Sequence, residues 1–146
     1  MKFKFIWVGK TKDKNWRALQ EEYLLRLSHF VRHDIVEIKD GGKESEGNRI
    51  IEQLNQSSLV CTLEVGGTEI SSHGLASWIE DWQNRGLKEV TFVIGGADGL
   101  DSKVLEKSDI GLSLSLLTLT HETARVVLVE QLYRAFTIIK GFPYQK

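Results

Sequence analysis

Two pairs of ionisable residues stand one helical turn apart near the C-terminus, His121 with Arg125 and Glu130 with Arg134. Spacing of i, i+4 puts both members of a pair on one helix face. His121 and Arg125 fall near a helix N-terminus, where a cation opposes the helix dipole. An Arg there implies an anionic partner, either a carboxylate of the protein or a ligand, and the pair is read as substrate-binding. Glu130 and Arg134 lie on a largely apolar helix, so Arg134 is either a structural partner of Glu130 or a cation that touches substrate. A third feature is IGGADG, residues 94–99, in which paired glycines follow an apolar run. Glycines let backbone turn tightly and approach a ligand closely. The spacing is neither GxGxxG nor a P-loop, and Asp98 would repel a pyrophosphate. A nucleoside or another weakly charged ligand suits it, as does a tight turn with nothing bound. His29 and His33 are four apart without a third ligand nearby, which reads as a solvated pair and no metal site. The single cysteine, Cys61, excludes an intrachain disulfide and a multi-cysteine metal site.

The stretch 112–140 must position most of these groups. Leu112, Leu114 and Leu116 share one parity and Ser113 and Ser115 the other, the period of a half-buried strand. The parity slips at Leu116–Leu117, where a buried, leucine-rich loop is expected to begin with Leu117, Thr118 and Leu119. Thr120 is the expected N-cap of a helix, with Glu122 at its positive end. Lys140, Gly141 and Pro143 give the stop signals. Val127, Leu128, Gln131, Ala135, Ile138 and Ile139 form one stripe; Val126, Val129, Tyr133 and Phe136 form another. A helix with two apolar stripes is buried from two sides.

Upstream, strands are expected at 2–8, 34–38, 59–63 and 89–94, with helices over 14–28, 48–54, 72–86 and 102–107. On the first helix Trp16, Leu19, Tyr23, Leu24 and Leu27 recur at helical spacing. Residues 39–47, KDGGKESEG, read as a mobile loop and Gly66–Gly67 as a turn. Alternating strands and helices predict an α/β layer sandwich with a mainly parallel sheet. In such sheets ligands sit beyond the carboxyl ends of the strands. That selects three loops, 63–67, 95–99 and 115–121.

A chain of 146 residues suits one domain, spanning 1–146. No run approaches the length of a membrane span, and the N-terminal apolar run is too short for a signal peptide, so a cytoplasmic protein is the default. Net charge is −1, yet residues 1–32 carry +5, residues 33–110 carry −8 and residues 111–146 carry +2. A bound polyanion would meet the ends of the chain; the alternative is that these are only solvated faces.

GGADG, LSLLTLTHETARVVLVEQLYRA and the terminal PYQK together give a specific pattern. Over its whole length the chain closely resembles the bacterial ribosomal large-subunit pseudouridine N3-methyltransferases, the smallest SPOUT methyltransferases. The resemblance implies a SPOUT-type α/β knot with a deep C-terminal trefoil, a homodimer, and S-adenosylmethionine as cofactor. The cofactor-binding positions by match are Leu63, Gly95, Gly96, Ser115, Leu116, Leu117, Thr118, Leu119 and Thr120. The implied substrate is a pseudouridine in helix 69 of 23S ribosomal RNA, methylated at N3 on the assembled 70S ribosome, with no metal and no membrane involved.

The same resemblance assigns catalysis to Arg134 and to a C-terminal Tyr-His pair. Here that pair reads Tyr144-Gln145, and Gln145 cannot take a proton. The readings are that Gln145 positions the nucleotide, that Tyr144 or water accepts the proton, or that the enzyme is slow. The first is favoured. An alternative function is a ribosome-binding protein of the same fold that is catalytically weak or inactive. A different α/β nucleotide-binding enzyme is disfavoured by the missing phosphate motifs.

Overall fold

The computed structural model describes residues 1–144. Its strands are β1 (Lys2–Val8), β2 (Arg32–Ile38), β3 (Leu59–Glu69), β4 (Glu89–Ile94) and β5 (Ile110–Ser113). The helices are α1 (Lys14–Ser28), α2 (Lys43–Gln53), α3 (Ser72–Asn84), α4 (Ser102–Glu106) and α5 (His121–Lys140). The strands form one sheet in the order β2-β1-β4-β3-β5, and every pairing is parallel.

Both faces of the sheet are covered, which is why its central strands are apolar on both parities. In β1, Phe3, Phe5 and Trp7 enter a large core with Leu24 and Leu27 of α1, Ile79 and Trp82 of α3, and Leu128, Leu132 and Phe136 of α5. Ile6 and Val8 point the other way, into a smaller core with Ile50 of α2 and Val104 of α4. Phe92 of β4 meets Phe3 edge-on at 5.1 Å and stacks on Phe5 at 5.6 Å. Burying each such side chain contributes about 1.5–3 kcal/mol.

The helix ends are fixed by local chemistry. Asp13 caps α1 by accepting from Asn15 N and Trp16 N, Ser71 caps α3, and Thr120 caps α5 through Thr123 N. Gly141 ends α5 at φ 71°, a left-handed position that favours glycine. Of the expected stripe on α1, Leu24 and Leu27 are buried but Leu19 is exposed; Gln20 takes the inward position and bonds to Thr11.

Three expectations are corrected. Residues 39–47 are not a loop throughout, because α2 begins at Lys43. Glu46 folds back so that Oε2 accepts from the N–H groups of Gly41 and Gly42, each at 3.1 Å, and Glu44 adds a second carboxylate to the first turn. Low hydrophobicity there marks a capped helix start. Gly66–Gly67 make no turn: β3 runs on to Glu69 and pairs with β5 in two registers, Leu63 and Thr68 both facing Leu112. Gly67 is needed where β3 crosses β5, since a Cβ there would lie 2.7 Å from Gly111 C. The leucine-rich loop is not buried, as Leu116 and Leu117 are 68% and 75% exposed.

No helix among the described residues is long and apolar enough to cross a membrane. No group of three or more His, Cys, Asp or Glu among them is placed to hold a metal ion.

Candidate active site

The middle of β3 and the carboxyl ends of β4 and β5 open onto one cavity of about 410 Å³, within the roughly 300–1,000 Å³ of small-molecule sites. Leu63, Glu64 and Val65 line it from β3, residues 94–100 from the glycine loop, and Leu114, Ser115, Leu117, Thr118 and Leu119 from the loop after β5. His121 and Ala124 close it from the first turn of α5, and Lys43 reaches it from α2. The three loops selected from the sequence thus meet in one place.

Each loop is shaped by a specific device. In 96–99 the chain makes a tight turn closed by Gly99 N donating to Gly96 O at 3.0 Å, with Gly99 at φ 80°. A Cβ on Gly95 would lie 2.7 Å from Gly99 C, so the two arms of the turn touch only because Gly95 is bare. Gly96 packs on Val8 and Glu46, where a Cβ would stand 3.2 and 3.1 Å from their side chains. In the loop after β5, Ser115 Oγ accepts from Leu117 N at 2.9 Å, which turns the chain within the leucine run. Polar serine on the parity opposite the leucines therefore bends the strand's continuation into a wall of the cavity.

Of the residues expected at the cofactor, Leu63, Gly95, Gly96, Ser115, Leu117, Thr118 and Leu119 line the cavity, as does His121. Leu116 and Thr120 do not: Leu116 faces outward and Thr120 is occupied as the cap of α5. His121 Nε2 stands 3.0 Å from Glu122 Oε1. The wall residues Lys43, Leu100, Leu105 and Ala124 lie outside the three loops selected from the sequence. Leu114 was in view only as a strand residue.

Arg125 is a correction. Its side chain is fully buried, donating to Thr11 Oγ1 at 2.9 Å and to Val8 O, with the guanidinium over the Trp7 ring. Its hydrogen-bond partners are the protein's own hydroxyl and carbonyl, and its complete burial leaves no surface to touch substrate. A carbonyl, a hydroxyl and an aromatic face hold the cation. Burial lowers its pKa to about 10, which leaves it charged at neutral pH.

Glu130 and Arg134 are a hydrogen-bonded ion pair, with Nε and Nη2 at 3.0 and 2.6 Å from Glu130 Oε1. Tyr144 Oη donates to the same oxygen at 2.9 Å, and the Arg134 guanidinium lies 4.7 Å from the Tyr144 ring centre. Tyr133 packs edge-on against Tyr144 at 4.8 Å. Burial first, then hydrogen bonds to Glu130 and Tyr23, raise the Tyr144 pKa well above that of an ordinary phenol, so this hydroxyl keeps its proton. The hydrogen bond to Glu130 raises Arg134 further. Gln145 lies outside the described residues.

The cluster stands apart from the cavity. Arg134 is 13 residues beyond His121 on α5, on the order of 20 Å along the axis at roughly 1.5 Å per residue.

A family model described as "Predicted SPOUT methyltransferase" matches residues 1–145. The chain belongs to the SPOUT methyltransferase family. It is also similar to the solved structure of a probable methylase family protein from Haemophilus influenzae Rd KW20, with a TM-score of 0.60 at 13% identity, covering 99% of this chain and 70% of that one. At that identity the likeness bears on the fold alone.

SPOUT methyltransferases use S-adenosylmethionine, and the cavity's chemistry fits it. Leu63, Leu117 and Leu119 offer an apolar surface for a purine, while Glu64 and Asp98 bring carboxylates to the same walls. Those carboxylates disfavour phosphate and suit a ligand with a sulfonium, an ammonium and ribose hydroxyls. When bound, the cofactor supplies an electrophilic methyl on sulfur, open to in-line displacement. In this SPOUT methyltransferase the glycine loop would bring backbone to the ligand, Leu63, Leu117 and Leu119 would cover its apolar part, and the first turn of α5 fixes the wall that carries His121.

Proposed function

We propose that the protein methylates N3 of a pseudouridine in helix 69 of 23S ribosomal RNA on the assembled 70S ribosome. It acts as a homodimer in which each cofactor cavity is completed by the second chain. The whole-chain resemblance supports the substrate, and the trefoil knot belongs to the same reading. The observation that carries the dimer is the separation of the cavity at one end of α5 from the Glu130–Arg134–Tyr144 cluster toward the other. Residues of one chain that far apart do not meet on one small acceptor base, whereas a two-fold axis lets the cluster of one chain face the cavity of another.

The acceptor nitrogen must lose its proton as the methyl arrives, and negative charge then gathers on the flanking carbonyl oxygens. Arg134, aimed by Glu130 and carrying a fixed charge, stabilises that charge. Tyr144 keeps its proton and acts as a hydrogen-bond donor, so the N3 proton passes to water. Gln145 hydrogen-bonds the nucleotide through its amide in a positional role.

Ribosomes from a strain lacking this protein, incubated with purified protein and S-adenosylmethionine, should gain one methyl on the helix 69 nucleoside by mass spectrometry. Cofactor binding and ribosome binding without that methyl would instead support a ribosome-binding protein that has lost catalysis.

A further inference from the structure

Lys10, Lys12 and Lys14 occupy the short segment between β1 and the first turn of α1, and all three are exposed. None is in an ion pair among the described residues, whereas Lys2, Arg26, Arg85, Lys103 and Arg134 are. Lys14 is the first residue of α1, whose first turn holds no acidic residue, so the helix dipole opposes it as well. Within these five residues the three lysines face a single carboxylate, Asp13, which is engaged as the cap of α1, so a net positive charge remains and gains from an anionic partner.

The segment is nonetheless held in place. Thr11, between two of the lysines, is 3% exposed; its hydroxyl donates to Gln20 Oε1 at 2.7 Å and accepts from Arg125. Arg17 donates through Nε and Nη2 to Thr11 O at 3.0 and 2.7 Å. Arg125 also takes Val8 O, the last carbonyl of β1. The buried arginine thus ties the lysine-bearing segment to α5 one turn beyond His121, a wall of the cavity. Val8 packs against Gly96 of the glycine loop, so this segment leaves the sheet beside the cavity, at the carboxyl end of the strands. The cavity carries two carboxylates, Glu64 and Asp98, against one cation, Lys43, a balance that disfavours phosphate, so the phosphates of a polyanion bind outside it.

We propose that Lys10, Lys12 and Lys14 form a pre-set cationic shelf that takes the phosphate backbone flanking the target nucleotide, with Arg125 and Thr11 as its anchor. The proposal rests on the polynucleotide substrate proposed above and adds where its backbone docks. The shelf fixes no sequence; it sets how the RNA lies across the cavity. Neutralising it removes up to three phosphate contacts and leaves cofactor binding untouched.

The test compares K10Q/K12Q/K14Q with K88Q/K107Q, whose lysines are exposed near the amino ends of the strands, before β4 and β5. Both are measured on 70S ribosomes lacking the methyl mark, over a salt series, alongside calorimetric titration with S-adenosylmethionine. The shelf variant should bind cofactor like wild type, with KM for ribosomes raised roughly tenfold or more and its logarithmic salt dependence reduced by about 2–3, kcat being retained. The K88Q/K107Q variant should stay near wild type. A shelf variant with wild-type KM and salt slope, or an equal loss in K88Q/K107Q, overturns the shelf while wild-type methylation still upholds the substrate. Wild-type protein that neither binds nor methylates ribosomes overturns the substrate reading and the shelf with it.

Discussion

The Arg125 guanidinium carbon lies 5.0 Å from the centre of the Trp7 ring, a cation held over an aromatic face inside the larger core. The contact ties the C-terminal helix to the first strand through groups 118 positions apart in the sequence, and hydrogen bonds to Val8 O and Thr11 Oγ1 complete it. Replacement by methionine keeps much of the volume but removes a donor from the buried Val8 carbonyl and leaves Thr11 Oγ1 with only its bond to Gln20. Arg125→Met should lower unfolding free energy by about 2–4 kcal/mol, read from the denaturant midpoint. A loss below about 0.5 kcal/mol, the usual range for an unremarkable surface site, would show that the bridge is unimportant.

The glycine loop gives a second expectation, because a Cβ on Gly95 would stand 2.7 Å from the backbone of Gly99. Gly95→Val must spread the turn that forms one wall of the cavity. Affinity for S-adenosylmethionine should fall roughly tenfold or more, or at least about 1.4 kcal/mol, with a native circular dichroism spectrum. Calorimetric titration checks it, and unchanged affinity would place the ligand elsewhere.

Cys61 is fully buried in the central sheet, and burial pushes its thiol up to about 12. Since the thiolate is the reactive form, the native protein should resist a disulfide reagent at neutral pH and react with one equivalent once unfolded. Rapid labelling of the native state would contradict the buried position of β3.

His33 carries a depressed pKa because burial disfavours its cation, with Asp34 opposing the effect more weakly. Its folded pKa lies below the unfolded one, so the unfolded chain takes up the proton first as pH falls. Stability should therefore decline as pH drops through the ordinary histidine range near 6.5 and on toward the lower folded value. Replacing His33 by phenylalanine, which suits the edge contact with Phe5, should flatten that part of the profile in denaturation at several pH values. An unaltered slope would assign the acid sensitivity to other groups.

Much of the fold was legible because local and tertiary signals agreed. Strands such as 89–94 are apolar on both parities, and Thr120 and Gly141 bracket α5 with cap chemistry that no tertiary contact overrides. The errors came where one residue's meaning depended on distant chain. Gly66–Gly67 look like a turn until β5 crosses them, and the helical start at Lys43 depends on Glu46 turning back to the glycines before it. Arg125 was misread because the sequence shows a cation at a helix N-terminus but not Trp7 and Val8 waiting behind it. The cavity was legible as three loops at the ends of parallel strands. Lys43 was not, because it reaches the cavity from a helix that starts in a segment read as a mobile loop.

Mixed dimers test the shared site most directly. One chain carries Gly95→Val, with a damaged cavity and an intact Arg134; the other carries Arg134→Ala, with an intact cavity. Each alone should be nearly inactive on unmethylated ribosomes. If every site joins the cavity of one chain to the Arg134 cluster of its partner, an equal mixture refolded together regains one intact site per heterodimer, roughly a quarter of wild-type methylation. A mixture no more active than the two variants separately would contradict the account, because the cavity and Arg134 would then have to serve within a single chain.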